Sequence, residues 1–295
     1  MITIGFAGIG AMGEPMAANL LHKGFSVTVL RHRREEPANR LREQGATVVT
    51  SPAALAKSEV VVLCLPTSRE VEATLLGEGG LMEKLRSGTI LIDCSTSEPQ
   101  SSAQLAAQAR SKDIGFLAAA MTRGVAGAEQ GTLAFFVGGE NAYVEKAHAV
   151  LAAMGNTFVQ FPTAAEAHTA KLISNVLSYS TVALVNEALM MGAKSGLDLA
   201  LLHKALMEGA SSKALEAFGP RIIAREYDPP RVTIEHACED MLMQQALAAR
   251  TNAPTFMHSM AQELYRALNA RGLGEQDISM IAELWRSRDG ESGRR

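Results

Sequence analysis

The chain has 295 residues, with 28 Lys+Arg against 31 Asp+Glu for a formal net charge of −3, and it is 47% hydrophobic and 20% charged. That near balance of charge excludes a whole-protein electrostatic grip on nucleic acid or an anionic membrane, and the apolar share excludes a disordered chain. At about 150 residues per domain the length implies two domains.

Cys64, Cys94 and Cys238 are isolated from one another, which argues against both a disulfide framework and a zinc site. The seven histidines are scattered without ligand spacing, so no metal is expected. The opening MITIGFAGIG has no basic leader and is broken by glycines, unlike a signal peptide, and the longest apolar run of the first half, residues 60–65, is too short to span a bilayer. A soluble, cytoplasmic protein is expected.

In chain order, short β-branched or apolar runs at 2–7, 26–30, 60–65, 89–93, 115–119, 133–138 and 157–160 predict strands. Helical stretches at 15–23, 35–44 and 101–109 lie between the early ones. Strands apolar along their whole length, alternating with helices, predict a parallel sheet covered on both faces. After Phe161 the pattern changes. Pro162 precedes Thr163 and Glu166, which have capping-box spacing, and one long helix is expected from there to about Lys194. Gly196, Gly209, Pro229-Pro230, Pro254 and Gly272 then punctuate further helices, with no convincing strand. The expected architecture is α/β: an N-terminal Rossmann dinucleotide-binding domain, residues 1–162, and an all-α domain, residues 163–295, joined by the long helix.

Gly8-Ile9-Gly10-Ala11-Met12-Gly13 follows the first strand, and Pro15 falls in the first turn of the next helix. Gly8 permits the tight turn, Gly10 the approach of a pyrophosphate to the backbone, and Gly13 close packing of helix on strand. Free N–H groups at the helix start, including those around Ala11 and Met12, then face the phosphates. An acid at the end of the second strand would bind the ribose hydroxyls of NAD; here the strand runs into Arg31-His32-Arg33-Arg34, with no acid before Glu35. Arg31 and Arg33 suit the extra phosphate of NADP, so NADP is favoured and NAD is the alternative. Thr96, just past the strand that ends at Asp93, is a cofactor-side contact by its place beyond a strand's carboxyl end.

These features extend into a resemblance. The run GFAGIGAMGEPMAANLLHKGFSVTVL, then LCLP at 63–66, DCST at 93–96, RGVAGAEQGTLAFFVGG at 123–139, KLISN at 171–175 and YRALNARGLGEQDIS at 265–279 together resemble the β-hydroxyacid dehydrogenase family over nearly the whole chain. The resemblance implies reversible hydride transfer between NAD(P) and a short β-hydroxyacid or anionic semialdehyde, of 3-hydroxyisobutyrate, tartronate semialdehyde or sulfolactaldehyde type. It places Leu65 and Pro66 beside the cofactor and implies a homodimer or homotetramer. It makes Lys171 and Asn175 the catalytic pair. Four residues apart on a helix, the two share one face. A lysine ammonium there stabilises the developing oxyanion and delivers the proton.

Three departures bear on substrate. Ala165 and Ala167 stand where the family commonly has glycines. The substrate loop reads Ala118-Ala119-Ala120-Met121-Thr122-Arg123-Gly124, in which Thr122 replaces a serine and Arg123 a glycine. Thr122, Arg123 and Gly124 are expected to bind a small anionic substrate, with Arg123 on its carboxylate, sulfonate or phosphate; the alternative is an Arg123 that points outward or pairs with an acid. Glu239 replaces a family lysine before Asp240, and three accounts of it stay open: a pair with Arg123 or Lys171, recognition of a substrate amino group, or a solvent-facing residue. An amino-bearing alcohol or imine as substrate, and a weakly catalytic NADP-binding protein, are the alternative functions. His168 reads as a polar residue near the helix cap.

Overall fold

The computed structural model describes residues 2–32 and 34–286; Met1, Arg33 and residues 287–295 lie outside that range. The chain separates into two compact units, Met1–Lys171 and Leu172–Arg295.

The first unit is built on eight strands: β1 (Thr3–Ala7), β2 (Ser26–Leu30), β3 (Thr47–Val49), β4 (Val60–Leu63), β5 (Ile90–Asp93), β6 (Gly115–Thr122), β7 (Leu133–Gly138) and β8 (Gly155–Phe161). They form one sheet in the order β3-β2-β1-β4-β5-β6-β7-β8. Strands β1 to β6 are mutually parallel, whereas β7 runs antiparallel to β6 and carries β8 parallel to itself. The sheet is therefore mixed rather than wholly parallel, because a short helix and turn return the chain directly beside β6. Helices α1 (Gly13–His22), α2 (Glu36–Glu43), α3 (Ser68–Leu76), α4 (Pro99–Arg110), α5 (Gly124–Glu129) and α6 (Asn141–Met154) connect the strands, with a 3-10 turn at Pro52–Lys57.

Period-two alternation sorts the strand residues between the two faces. Ile4, Phe6, Val60, Val62, Ile90 and Ile92 pack with Met16 and Leu20 of α1, while Ala7, Val61, Leu63, Leu91 and Ala118 form a second core with Val71 of α3 and Leu105 of α4. Both faces are thus dry, as near-continuous apolar strands require.

Helix α7 (Ala164–Lys194) starts with the expected capping box: Glu166 N–H donates to Thr163 Oγ1 (3.2 Å) and Thr163 N–H to the Glu166 carboxylate (3.1 Å). The units divide within this helix, nine residues past the boundary expected at Pro162. The reason is packing: Ala164 and Ala167 belong to the β-sheet core, so the first turns of α7 fold with the sheet. The second unit continues with α8 (Leu199–Gly209), α9 (Lys213–Ala224), α10 (Ile234–Thr251), α11 (Phe256–Asn269) and a 3-10 segment, Ile278–Leu284. Asp198, Ser212 and Thr233 cap α8, α9 and α10 through their side chains, satisfying amide groups at each helix start. The core of this unit gathers Val182, Leu189, Phe218, Ile234, Met241 and Tyr265.

The glycine turn after β1 is sterically enforced. Gly8 has φ +96°, and a Cβ there would stand 2.0 Å from the Cys64 carbonyl oxygen; a Cβ on Gly13 would stand 1.8 Å from that of Gly8. Nothing lies within 4 Å of a Cβ on Gly10. Gly13→Ala is expected to cost about 1–3 kcal/mol by overpacking, lowering the calorimetric midpoint by about 2–4 °C per kcal/mol. Gly10→Ala is expected to leave the midpoint unchanged.

Candidate active site

The three glycines meet the demands of a dinucleotide cradle from opposite sides. Gly8 and Gly13 are crowded against backbone, which brings α1 tight behind β1, and Gly10 borders open space through which a phosphate can approach. The approach is along the N-terminus of α1, where Ala11 is exposed and Met12 half-buried. The turn also sits where the strand order reverses: β1 lies between β2 and β4, the switch point at which open α/β sheets bind ligands. The residues present fit a dinucleotide.

At the end of β2, Arg31 donates its backbone N–H to the Val49 carbonyl (2.8 Å), and its guanidinium pairs with Glu35 four residues on. The pair is largely exposed, so it holds the arginine only weakly. His32 and Arg34 are exposed, and Arg33 lies outside the described residues.

The ends of β4 and β5 are joined by buried polar contacts. Leu65 N–H donates to Ser95 Oγ (3.0 Å). The fully buried Asp93 carboxylate accepts from Ser95 N–H (2.9 Å) and from Ser97 Oγ (2.7 Å). Thr96 is half-buried between those serines, Leu65 is half-buried and Pro66 exposed, so this turn presents all three expected cofactor-side residues at the carboxyl ends of neighbouring strands. Cys64 and Cys94 follow the same two strands. Burial pushes the Cys64 thiol up to about 12 and that of Cys94 up strongly, and both stay protonated and unreactive.

His168 is not a polar residue of the cap region, as the sequence suggested. It is fully buried on α7, with Nδ1 2.6 Å from Ser102 Oγ on α4 and Nε2 3.9 Å from Asp93 Oδ2. Burial lowers its pKa from the ordinary 6.5, outweighing the upward pull of Asp93. A histidine whose folded pKa is depressed contributes stability that is present above about 6.5 and lost as pH falls toward the folded value. The thermal midpoint is therefore expected to fall as pH drops below about 6.5, with a shallower fall for His168→Asn, read by fluorescence-monitored melting across pH.

The substrate loop follows β6. Thr122 ends β6, half-buried, and Gly124 is exposed with φ +60°. Arg123 also adopts a left-handed backbone, φ +86°, which only glycine accepts without cost. Its guanidinium donates to the Thr132 carbonyl (2.6 Å), Asn156 Oδ1 (2.8 Å) and Thr157 Oγ1 (2.9 Å). Those acceptors lie at the starts of β7 and β8, on the opposite side of β6 from β5 and β4. The Arg123 guanidinium is held by these three acceptors rather than by an acid. Arg123→Gly is expected to leave the substrate KM within twofold of wild type, measured by steady-state kinetics.

Lys171 is half-buried and stands one helical turn beyond His168 on α7. Asn175 is buried in the second unit, where its Nδ2 donates to Asp240 Oδ2 on α10 (2.7 Å). The Tyr179 hydroxyl donates to the same oxygen (2.6 Å), and burial beside Asp240 raises its pKa well above 10, which keeps the hydroxyl a donor. Tyr265 in turn donates to the Tyr179 carbonyl (2.8 Å). Asp240 thus fixes both the Asn175 amide and the helix turn that follows it. Glu239, its neighbour, is exposed. Asp93 and Asp240 stood in the sequence only inside the DCST run and beside Glu239, without roles of their own, and the signal for Tyr179 is its four-residue spacing from Asn175, which puts the two on one helix face.

A glycine-rich turn feeding a helix at the sheet's switch point, followed by a helical unit entered through a lysine-bearing helix, defines a Rossmann-type dinucleotide-binding protein of two units. Residues 3–162 match the model for the NAD-binding domain of 6-phosphogluconate dehydrogenase. Residues 165–285 match the NAD-binding model of NADP-dependent 3-hydroxyisobutyrate dehydrogenase. The chain belongs to the β-hydroxyacid dehydrogenase family. It is 31% identical to the NAD-dependent L-serine dehydrogenase of Pseudomonas aeruginosa over 99% of this chain and 100% of that one. It is 29% identical to the 2-(hydroxymethyl)glutarate dehydrogenase of Eubacterium barkeri over 99% and 97%. Among solved structures it is similar to the 3-hydroxyisobutyrate dehydrogenase of Mycobacterium tuberculosis crystallised with L-serine, with TM-score 0.87, 27% identity, and 97% and 100% of the two chains covered.

Proposed function

We propose that this protein is an NAD(P)-dependent dehydrogenase that interconverts a short β-hydroxyacid and the corresponding anionic semialdehyde, with Lys171 as general acid and base. The observation that carries the reading is the place of Lys171: half-buried, on the helix whose preceding turn packs against the ligand-binding end of β5. The dinucleotide, when bound, supplies or accepts the hydride. Gly8, Gly10, Ala11, Met12 and Gly13 would hold its pyrophosphate, and Leu65, Pro66 and Thr96 would line its other half. Lys171 holds a proton at Nζ and releases it to the carbonyl oxygen as negative charge develops there; in the oxidative direction the neutral amine takes the hydroxyl proton. Asn175, whose amide is held by Asp240, is proposed as the second catalytic residue on its match to the family motif, four residues along α7 from the lysine. Thr122 and Gly124 hold the substrate's anionic end.

The basic stretch after β2 supports NADP over NAD, since the exposed Arg31–Glu35 pair exchanges readily for a phosphate contact. A second reading, oxidation of a serine-like amino alcohol, is supported by the carboxylate of Glu239 beside Asp240 and by the similarity to an L-serine dehydrogenase. A cytoplasmic location is proposed with either, on the free state of all three cysteines.

Absorbance assays at 340 nm with NADP+ and NAD+ over 3-hydroxyisobutyrate, 2-(hydroxymethyl)glutarate and L-serine test the reading. Turnover of at least one compound is expected, and Lys171→Ala is expected to lower kcat about 100- to 10,000-fold. Activity that survives Lys171→Ala would remove lysine from the proton transfer. Arg31→Ala is expected to weaken NADPH binding about tenfold or more, the worth of a charge-assisted hydrogen bond, and to spare NADH; equal loss of both would sink the NADP preference.

We also propose a homodimer formed through α7. Ile173, Leu177, Leu184 and Met191 are all exposed and recur at four- and seven-residue spacing along one side of that helix. A second copy brings the same apolar stripe, so the two can close about a two-fold axis. Leu177→Glu is expected to halve the mass seen by light scattering, and a wild-type monomer at micromolar concentration would overturn the idea.

A further inference from the structure

His168 is a buried ionisable group, next to Lys171 on α7, that the proton-transfer scheme leaves unused. It has no exposed surface, and an apolar residue of similar volume would occupy such a place without the cost of stripping water from an imidazole. What it makes there is a link between elements. Its Nδ1 meets Ser102 Oγ of α4, and its Nε2 faces Asp93 Oδ2 at the end of β5. Asp93 in turn fixes Ser95 and Ser97, and Ser95 fixes Leu65 after β4. Hydrogen bonds therefore join Leu65, Ser95, Ser97 and Asp93 into one group, and the His168 ring, one turn before Lys171 on α7, is hydrogen-bonded to Ser102 and stands against that group through a 3.9 Å contact with Asp93, longer than a hydrogen bond.

The electrostatics agree with a tether rather than a proton carrier. The charged groups that face the ring are Asp93 from β5 and Lys171 from α7 itself; α4 presents the neutral Ser102. Nδ1 shares a hydrogen bond with Ser102 Oγ, whose hydroxyl also meets the Glu98 carbonyl oxygen (3.1 Å), and Nε2 faces the carboxylate at 3.9 Å without a hydrogen bond to it. Held neutral by burial, the ring adds no second positive charge beside the lysine.

We propose that His168 is a positioning residue that sets the register of α7 against the ends of β4 and β5, and so the place of Lys171 relative to the cofactor-side turn. This rests on the functional reading above. It is tested with His168→Leu, which fills the space without polar atoms, His168→Asn, which restores a hydrogen-bonding group facing Ser102, and Ser102→Ala, which cuts the link from α4 should the leucine variant fail to fold. On whichever compound the wild type turns over, His168→Leu and Ser102→Ala are expected to lower kcat at least tenfold and at least threefold, respectively. The NADPH dissociation constant, read by fluorescence, is expected to stay within threefold, and His168→Asn to recover at least half of the lost kcat. Values of kcat within twofold of wild type, or kcat and NADPH affinity lost in equal proportion, would overturn the proposal.

Failure of the functional reading is told apart by a measurement that needs no turnover. The acetylation rate of Lys171 by acetic anhydride, followed by peptide mass spectrometry, is expected to rise at least threefold in His168→Leu and Ser102→Ala while Lys23 and Lys112 keep their rates. If the wild type turns over none of the compounds and the Lys171 rate still responds, the substrate reading fails and the tether stands. An unchanged Lys171 rate overturns the tether whatever the activity.

Discussion

The close approach of α1 to β1 is the constraint on which the ligand-binding unit depends. The Gly8 carbonyl lies where a side chain on residue 13 would begin, and the Cys64 carbonyl where a side chain on residue 8 would begin. With both positions reduced to hydrogen, the helix start is driven to the carboxyl end of the sheet at its switch point. Its unpaired N–H groups and positive dipole end are thereby aimed outward at one place. Gly10, with open space around it, is the opening in the same turn. Crowding and vacancy within six residues define where an anion can sit.

Helix α7 is governed by a different kind of contact. Two buried carboxylates, Asp93 in the first unit and Asp240 in the second, each accept more than one hydrogen bond from nearby groups. A buried carboxylate is tolerable only with such partners, and removing one partner leaves the charge to bear its desolvation. Each therefore holds its neighbours stiffly: Asp93 the turn after β5, Asp240 the side chains of Asn175 and Tyr179. The lysine that carries the proposed chemistry falls between residues 168 and 175, each of which meets one of these acids.

Much of the fold could be read from residue order. Seven of the eight strands were visible as apolar runs, and the capping box at Thr163 and Glu166 marked the start of α7 to the residue. The strand Thr47–Val49 escaped notice because three residues are too few to show a period. The reversal of β7 escaped for another reason: alternation reports which face a residue takes and says nothing of the direction in which the strand runs. Arg123 escaped in a third way: a charged side chain next to a substrate loop reads as a ligand-binding group, whereas the neighbours it meets are set by the fold. At φ +86° the residue is turned, and its guanidinium reaches Thr132, Asn156 and Thr157.

The sequence by itself determined the class of the protein: the spacing of Gly8, Gly10 and Gly13, the change from alternating to helical pattern after Phe161, and the lysine and asparagine four residues apart. These are local features, encoded in neighbours along the chain and in the intrinsic geometry of helix and strand. Tertiary structure alone decided what surrounds the lysine helix, because Ser102 meets His168 across 66 residues and Asp240 meets Asn175 across 65. Hydrogen bonds of that reach depend on which surfaces the fold brings together, and no periodicity in the chain records them.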